Sequence, residues 1–256
     1  MKGWVEKMDD ELITIPKSVY ESERKMRFFG ESSEKVYDKQ FNIFIGVSIS
    51  NKKLTPEMAL NYLGWAVKNA KEKVAVVIAD ELNIVNYRIL DGYSLGKSEK
   101  RAEKEGKKFR QLFEDAIKKL DKEDQNKVNI YMWGEIKKNS QYKKIQSFLE
   151  ERYPKDVEFK SAILYFIKKY MRKKGRMVED LEKIDELASY ILGELPTLLE
   201  GITVEDIYYG LCIYPTYFSS GMSQFVMDMH ERELAIGNDL KNILKSKAVL
   251  VEAWLD

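Results

Sequence analysis

Apolar residues are arranged along the chain in two patterns. Short, bounded runs rich in β-forming side chains predict buried strands. There are five such runs, at Phe41–Val47, Val74–Ala79, Val128–Trp133, Tyr209–Tyr214 and Ala248–Trp254. Longer stretches lie between them, and we predict helices at about Ser98–Lys122, Tyr142–Arg152, Phe159–Lys174 and Glu179–Glu194.

A helix start signal separates the first two predicted strands. Thr55, Pro56 and Glu57 supply an N-cap residue, a proline at the first helical position and an acidic first turn, so a helix should run to about Lys71. A strand, a helix and a second strand, with both strands apolar throughout, are typical of a parallel βαβ unit. The alternation therefore predicts an α/β fold with a mostly parallel sheet flanked by helices.

Size and composition fit one folded domain. The chain has 256 residues, 44% of them hydrophobic, and a formal net charge of +1. We expect a single domain over residues 1–256, in which residues 1–40, with mixed charges and little periodicity, form an irregular N-terminal segment. No apolar run reaches the ~18 residues of a membrane span, and the N-terminus has no apolar stretch of signal type. A cytoplasmic protein without membrane contact is expected.

The scarcity of histidine and cysteine argues against several kinds of chemistry. His230, the only histidine, lies in a charged stretch where a surface position is expected. Cys212, the only cysteine, cannot form an internal disulfide and is most simply a small buried apolar residue. Neither a Walker-type phosphate loop nor a G-x-G-x-x-G motif occurs. An active site would have to use Ser, Tyr, Asp, Glu or Lys, and a metal site is poorly supported.

Candidate polar residues follow the predicted strands. In open parallel sheets, ligands bind in the crevice beyond the carboxyl ends of the strands, and Ser48, Asp80, Gly92 and Trp133 lie at or just past such ends. Gly46 permits close backbone approach two residues before Ser48. Two interpretations stand for this pair: a hydroxyl directed into the crevice, or a serine that only caps local backbone groups, which is commoner for so short a pattern.

A tyrosine and a glutamate share one face of the fourth of these helices. Tyr190 and Glu194 are one turn apart, on a face that also carries Leu187, Ile191 and Leu198. A carboxylate along an apolar stripe is costly unless it is paired, which makes it a candidate for a functional site. The alternative places Glu194 at the edge of the stripe, near a helix end where Pro196 breaks the pattern.

Basic residues are concentrated in two places. The first is the helix from Lys97 to Lys122, with acids interspersed, whose basic residues include Lys100, Arg101, Lys104, Lys107, Lys108 and Arg110. The second, between Phe159 and Val178, has no acid and contains Lys160, Lys168, Lys169, Arg172, Lys173, Lys174 and Arg176. Such patches suit the phosphates of a nucleic acid, although a solvated helix face is the usual explanation of any one run.

The ordered motifs resemble those of the tRNA-dependent cyclodipeptide synthases. These motifs cover about residues 40–220 and are Gly46-x-Ser48, Gly92, Trp133, Tyr142, Tyr190-x-x-x-Glu194-Leu-Pro196 and Cys212-x-Tyr214-Pro215. The resemblance implies a Rossmann-like domain similar to the catalytic domain of class I tyrosyl- and tryptophanyl-tRNA synthetases. It implies an aminoacyltransferase that joins the amino acids of two aminoacyl-tRNAs per cycle into a cyclic dipeptide, a 2,5-diketopiperazine, without ATP, metal or cofactor.

The resemblance also implies roles for single residues. Ser48 would be the nucleophile that carries the aminoacyl and dipeptidyl groups, Tyr190 and Glu194 would hold the substrate's amino group, and Tyr142 and Tyr214 would be further catalytic tyrosines. The first aminoacyl pocket would be lined by Phe44, Val77, Trp133 and Leu211, with Gly46, Asn51 and Gly92 also binding substrate. The helix from Lys97 to Lys122 would bind the tRNA.

Two subgroups of the family differ in a three-residue signature. Tyr214-Pro215 matches the X-Tyr-Pro subgroup, whereas Asn51, three residues after Ser48, is the residue typical of the Asn-Tyr-His subgroup. Two alternatives from other classes stay open. A non-catalytic RNA-binding module with a Rossmann-like sheet would share the basic helices, and a small-molecule hydrolase would use Ser48 with an unusual base.

Overall fold

Strands and helices alternate through the part of the chain that the structure describes. The computed structural model describes residues 25–31, 33–173, 175, 180–215, 221–231 and 236–255. Its strands are β1 (Lys25–Phe29), β2 (Ile43–Ser48), β3 (Val74–Ala79), β4 (Val128–Met132), β5 (Ile202–Val204), β6 (Ile207–Tyr209), β7 (Leu211–Pro215) and β8 (Val249–Trp254). Its helices are α1 (Ser33–Tyr37), α2 (Pro56–Asn69), α3 (Asn83–Ile89), α4 (Leu95–Ile117), α5 (Lys122–Gln125), α6 (Trp133–Ile136), α7 (Ser140–Arg152), α8 (Val157–Lys173), α9 (Leu181–Glu200), α10 (Met222–Glu231) and α11 (Ile236–Leu240).

Six of the strands form one sheet in the order β1-β8-β7-β2-β3-β4. All neighbouring pairs are parallel except β1 with β8 at one edge. This confirms the α/β fold with a mostly parallel, helix-flanked sheet. From β2 the chain adds β3 and β4 on one side and later β7 and β8 on the other. The order reverses between β2 and β7, which is where such sheets open a ligand crevice.

The two faces of the sheet form separate apolar clusters. Side chains alternate along a strand, so Ile43, Ile45 and Val47 point one way while Phe44, Gly46 and Ser48 point the other. The first face packs against α2 and α4. The second packs against helices α7 to α10, and it is this face that carries Ser48.

The sequence located most of these elements within a few residues. The α2 prediction is confirmed in detail, since the Thr55 hydroxyl accepts the backbone N–H of Met58 at 3.2 Å. The pattern missed the helices α3, α5, α6, α10 and α11 and the short hairpin of β5 and β6, and it joined β6 to β7. Except for α10, these pieces are too short to show a period of their own.

The expectation of an irregular segment over residues 1–40 is wrong in its second half. There, β1 pairs antiparallel with β8, and α1 follows; residues 1–24 and 32 lie outside the described residues. An edge strand carries charges such as Arg27 among its apolar residues, so its sequence resembles a loop.

Pro196 does not end its helix. The helix α9 continues to Glu200, where Gly201 follows with a φ of 88°. Proline leaves the Leu192 carbonyl without its usual N–H partner, but burial of Leu195, Leu198 and Leu199 holds the last turns against the core. Glu194 therefore lies inside the helix rather than at its end.

His230 is not a surface residue, contrary to expectation. It lies half-buried at the end of α10, where burial lowers the pKa of its imidazole to about 4. The charged sequence around it hid this because the apolar face of α10 packs inward. Among the described residues, no helix combines the length and apolarity that crossing a membrane requires.

Candidate active site

Ser48 ends β2 at the point where the strand order reverses. Its side chain is half-buried, and its Oγ lies 2.9 Å from the Oγ of Ser50 and 3.5 Å from the hydroxyl of Tyr190 on α9. Two residues earlier on the same face, a Cβ placed on Gly46 would lie 3.4 Å from the ring of Tyr214. The glycine therefore lets the Tyr214 ring lie close against β2.

Glu194 lies one turn after Tyr190 and faces the same place. Its side chain is buried, and the Tyr214 hydroxyl donates a hydrogen bond to its Oε1 at 3.0 Å. Burial raises the pKa of Glu194 to about 7, although the hydrogen bond from Tyr214 acts in the opposite direction. Near neutral pH this carboxyl group can therefore take up or release a proton.

The two tyrosine hydroxyls remain protonated. Burial, reinforced by the negative charge of Glu194, raises the pKa of Tyr190 and of Tyr214 well above the usual value. Each hydroxyl can donate one hydrogen bond and accept others. Ser48, Tyr190, Glu194 and Tyr214 thus form a set of groups able to hold an amine and move protons next to a nucleophilic hydroxyl.

These groups surround one cavity of about 300 Å³. Its polar wall includes Ser48, Ser50, Asn51, Asn86, Tyr170, Tyr190, Glu194, Tyr214 and Ser223. Asn51 donates a hydrogen bond from its side-chain amide to the Pro215 carbonyl at 3.2 Å, which ties the loop after β2 to the end of β7. Lys53 and Lys169 also line the cavity, from the loop after β2 and from α8.

Several residues expected in the first aminoacyl pocket lie elsewhere. Phe44, Val77 and Trp133 are buried on the Ser48 face, but they do not line the cavity. Tyr142 is buried beside them: its hydroxyl donates to the Gly193 carbonyl at 2.8 Å, and its ring meets Trp133 edge-on at 6.2 Å. Their roles stay predictions from the resemblance.

Leu211 points to the opposite face of the sheet. It belongs to the cluster of Ile43 and Ile45, whereas the next residue, Cys212, lines the cavity. The error is one residue in register, and on a strand one residue reverses the face. The sequence did contain a signal for the correct residue: Cys212 lies two positions before Tyr214, and side chains two apart on a strand point to the same face. Burial raises the pKa of the Cys212 thiol well above its usual value, as expected of an inert apolar residue.

Gly92 lies in the exposed turn between α3 and α4. Its φ of 69° requires the left-handed conformation that glycine adopts without strain. A Cβ there would meet no atom within 4 Å, and the residue does not line the cavity.

Ser50 is a neighbour of Ser48 that the sequence analysis missed.

The predicted tRNA-binding helix, α4, is largely self-neutralised. Four of its basic residues form ion pairs with acids of the same helix, and these are Arg101, Lys107, Lys108 and Arg110. Lys100 and Lys104 have no ion pair with any described residue. At Gly106, α4 passes so close to β3 that a Cβ would lie 2.8 Å from the Cβ of Asp80.

The second basic run reaches the cavity. Lys160 pairs with Asp185 at 3.0 Å, and Lys169 lines the cavity on α8; Lys174 and Arg176 lie outside the described residues. Within the described part of the chain, no three His, Cys, Asp or Glu side chains are grouped so that they could hold a metal ion.

The strand order, the parallel register and the cavity at the reversal point define a Rossmann-like α/β fold. Among proteins with this fold, the sequence model of the cyclodipeptide synthase family matches residues 25–232 of this chain. The chain belongs to the cyclodipeptide synthase family, whose members use aminoacyl-tRNAs to make cyclodipeptides, and it is thus an enzyme of that family. A non-catalytic RNA-binding module is not favoured.

Individual proteins and solved structures are similar to this chain over most of its length. The cyclo(L-leucyl-L-leucyl) synthase of Staphylococcus haemolyticus (strain JCSC1435) is 24% identical over 218 residues, or 82% of this chain and 92% of that protein. A cyclodipeptide synthase from Bacillus thermoamylovorans superposes with a TM-score of 0.72 at 19% identity, covering 91% and 96% of the two chains. The synthase from Candidatus Glomeribacter gigasporarum, solved bound to Phe-tRNAPhe, gives a TM-score of 0.54 at 20% identity, covering 82% and 86%.

Proposed function

We propose that this chain joins the amino acids of two aminoacyl-tRNAs through ester intermediates on Ser48. The supporting observation is that the Ser48 hydroxyl, the Tyr190 hydroxyl and the buried Glu194 carboxyl group converge on one cavity. An aminoacyl-tRNA is already an activated ester, so the transfer balances without ATP, a metal or a cofactor.

In the first step, the Ser48 Oγ attacks the ester carbonyl of one aminoacyl-tRNA. The bond from that carbonyl to the terminal ribose breaks, and the ribose oxygen takes up the serine proton. Glu194 binds the ammonium group of the substrate in its ionised form. Tyr190, 3.5 Å from the Ser48 Oγ, hydrogen-bonds to the groups around the ester.

In the second step, the Glu194 carboxylate takes one proton from the ammonium group of the acyl group on Ser48, and the amine so formed attacks the ester of a second aminoacyl-tRNA. A peptide bond forms, the second tRNA leaves, and the proton lost by the amine passes to the leaving ribose oxygen. A carboxyl group with a pKa of about 7 suits this proton transfer, because it exchanges protons readily at neutral pH.

In the third step, the free amine of the dipeptidyl group attacks the ester on Ser48. The ring closes, the bond to Oγ breaks, and the serine oxygen regains a proton. Tyr214 relays this proton, since its hydroxyl already donates to Glu194 at 3.0 Å and can accept in the same step.

The tRNA is proposed to bind through the basic residues of α4, with α8 as a second contact. Lys169 on α8 supports the second contact because it lines the cavity that would receive the acceptor end. Because aminoacyl-tRNAs are made and used in the cytoplasm, the reaction is assigned there. The Tyr214-Pro215 pair supports assignment of this chain to the X-Tyr-Pro subgroup. In this chain, Asn51 holds the end of β7 in place through its hydrogen bond to the Pro215 carbonyl.

The direct test is to incubate the purified chain with aminoacyl-tRNAs that carry labelled amino acids. Cyclic dipeptides are then sought by mass spectrometry, and Ser48 is examined for a covalent aminoacyl group by intact-protein mass. The expected result is a cyclic product together with acylation at Ser48. Hydrolysis to free amino acid with no cyclic product would contradict the proposal and favour a hydrolase.

A further inference from the structure

The cavity wall carries a side-chain amide that takes no part in the three proposed steps. Asn86 of α3 is half-buried and lines the cavity together with Ser48. The helix α3 follows β3, and β3 pairs with β2, the strand that ends in Ser48. Asn86 therefore lies beyond the carboxyl ends of the strands, on the β3 side of the nucleophile.

Two hydrogen bonds fix the orientation of the Asn86 amide. Asn83 Nδ2 donates to the Ala79 carbonyl at 2.8 Å, and Asn86 Nδ2 donates to Asn83 Oδ1 at 3.2 Å. Because a carbonyl can only accept, Asn83 must turn its NH₂ group to Ala79 and its oxygen to Asn86. Asn83 is 1% exposed, and Ala79 lies opposite Ser48 in the sheet register, so this relay is anchored in the core beside the nucleophile.

The rest of the Asn86 amide is left for a ligand. Its Oδ1 and its second Nδ2 hydrogen make no hydrogen bond to any other residue in the part of the chain that the structure describes. An acceptor and a donor side by side, both neutral, match a hydroxyl group, which also donates and accepts.

Two cations line the same cavity. They are Lys53, from the loop after β2, and Lys169 of α8. The backbone N–H of Lys53 donates to the Oδ1 of Asn51 at 3.2 Å, and the amide of Asn51 donates to the Pro215 carbonyl at 3.2 Å. The loop that carries Lys53 is thereby tied to the end of β7. Ammonium groups on a cavity wall suit a phosphate.

This set of groups matches a nucleotide better than an amino acid. The ammonium of an aminoacyl group would be repelled by Lys53 and Lys169, and Glu194 already provides for it. The last nucleotide of an aminoacyl-tRNA instead offers a free ribose hydroxyl next to the ester oxygen. On the other side of that ribose it offers a phosphate.

We propose that Asn86 binds the free ribose hydroxyl beside the ester, and that Lys53 and Lys169 bind the phosphate between the last two nucleotides. This inference rests on the proposed function. The contacts hold the ester oxygen in place through the groups on either side of it. Their contribution is therefore the same whichever amino acid the tRNA carries.

The first test removes the hydroxyl. An aminoacyl-tRNA with a 2′-deoxy terminal adenosine keeps its amino acid on the 3′ oxygen, and the loss in kcat/KM for Ser48 acylation is measured by intact-protein mass. We expect this loss to be at least about fivefold larger in the parent than in Asn86→Ala, because only the parent is left with an unpaired amide. The effect of the hydroxyl on the ester's own reactivity is the same for both proteins. Equal losses would overturn the inference.

Asn61→Ala is the matched control for Asn86→Ala. Asn61 is also half-buried on a helix, but its helix α2 packs on the other face of the sheet. Alanine favours helices, so both variants should unfold at temperatures close to that of the parent. Asn61→Ala should show the parent's loss with the 2′-deoxy substrate. The same change in both variants would overturn the inference.

The second test neutralises the phosphate and needs no variant for its first result. A methylphosphonate between the last two nucleotides removes one negative charge, and the parent should transfer from this substrate at least about tenfold more slowly, the contribution of a charge-assisted contact. The double variant Lys53→Gln/Lys169→Gln should show little of this loss. The control Lys52→Gln/Lys168→Gln changes the two exposed neighbours, which do not line the cavity, and should show all of it.

Equal rates of the parent with both substrates, or the parent's full loss in the Lys53/Lys169 variant, would overturn the phosphate contact. Failure of the proposed function is distinct from these outcomes. It appears as no acylation of Ser48 in the parent by any unmodified aminoacyl-tRNA.

Discussion

The two faces of strands β2 and β7 carry different kinds of side chain. Along β2 and β7, every second residue is large and apolar and packs under α2 and α4, as Ile45 and Ile213 do. The residues between them include Gly46, Ser48, Cys212 and Tyr214, which line the cavity. The first face is apolar along the full length of β2, whereas the second face is apolar at Phe44 and becomes small or polar at Gly46 and Ser48, towards the end of the strand.

The largest expected effect is on the cavity face. Ser48→Ala should abolish both acylation and cyclic product, because no other group replaces the attacking oxygen, while thermal unfolding stays close to that of the parent. Ser50→Ala is the matched control, since its hydroxyl lies 2.9 Å from that of Ser48, and it should still be acylated. A normal yield of cyclic dipeptide from Ser48→Ala would sink the assignment.

The next effect separates two steps on that face. Tyr214→Phe keeps the ring against Gly46 and removes only the hydroxyl. Ser48 should still be acylated, but cyclisation should slow by about 10²–10⁴-fold, the usual contribution of a proton-transfer group, and dipeptidyl enzyme or linear dipeptide should accumulate. A full yield of cyclic dipeptide from this variant would mean that the Tyr214 hydroxyl only supplies a hydrogen bond to Glu194 and plays no part in cyclisation.

Substitutions on the opposite face of the sheet should lower the free energy of unfolding. Leu211→Ala removes a fully buried side chain and should lower the free energy of unfolding by about 2–5 kcal/mol in urea titrations. Cys212→Ala, one residue along, removes a single sulfur atom beside an existing cavity and should cost clearly less. Equal losses from both variants would contradict the division between the faces.

A smaller effect on activity comes with a change in pH dependence. Glu194→Gln keeps the shape but removes the charge that binds the ammonium, a contribution of about 1.5–3 kcal/mol, so kcat/KM should fall at least tenfold. The free enzyme needs the ionised carboxylate, and burial raises the pKa of Glu194 to about 7, so the parent's kcat/KM should rise as the pH passes through about 7.

The variant decides whether that rise belongs to Glu194. Glutamine does not titrate in this range, so the limb near pH 7 should disappear from its profile. If the limb persists unchanged, another group titrates and the glutamate is structural.

The smallest effects are expected on α4. Replacing Lys100 and Lys104 with Gln should weaken tRNA binding and lower its salt dependence, by about 0.7–0.9 in the logarithmic slope for each lost phosphate contact. Lys107 and Lys108, which are paired with acids, are the control pair and should matter less when replaced. If binding and slope stay as in the parent, α4 is a solvated face.

The strength of the local pattern decided which elements were predictable. The strand β3 is buried along its whole length, and its bounds were predicted to the residue. The edge strand β1 was missed because charged residues interrupt its apolar positions. The helix α9 was ended too early because a local rule for proline was overridden by burial of the turns that follow.

The sequence by itself determined the parallel α/β fold and the order of Gly46, Ser48, Tyr190, Glu194 and Tyr214, because strand runs, helix signals and motif spacing are local properties of the chain. Only the tertiary structure decided that Tyr214 bonds to Glu194, that Cys212 rather than Leu211 faces the cavity, and that the side towards Trp133 is filled. Those outcomes depend on register and on the packing of residues far apart in the chain. One residue of register reverses a side chain's face, and the filling of space depends on every neighbour at once.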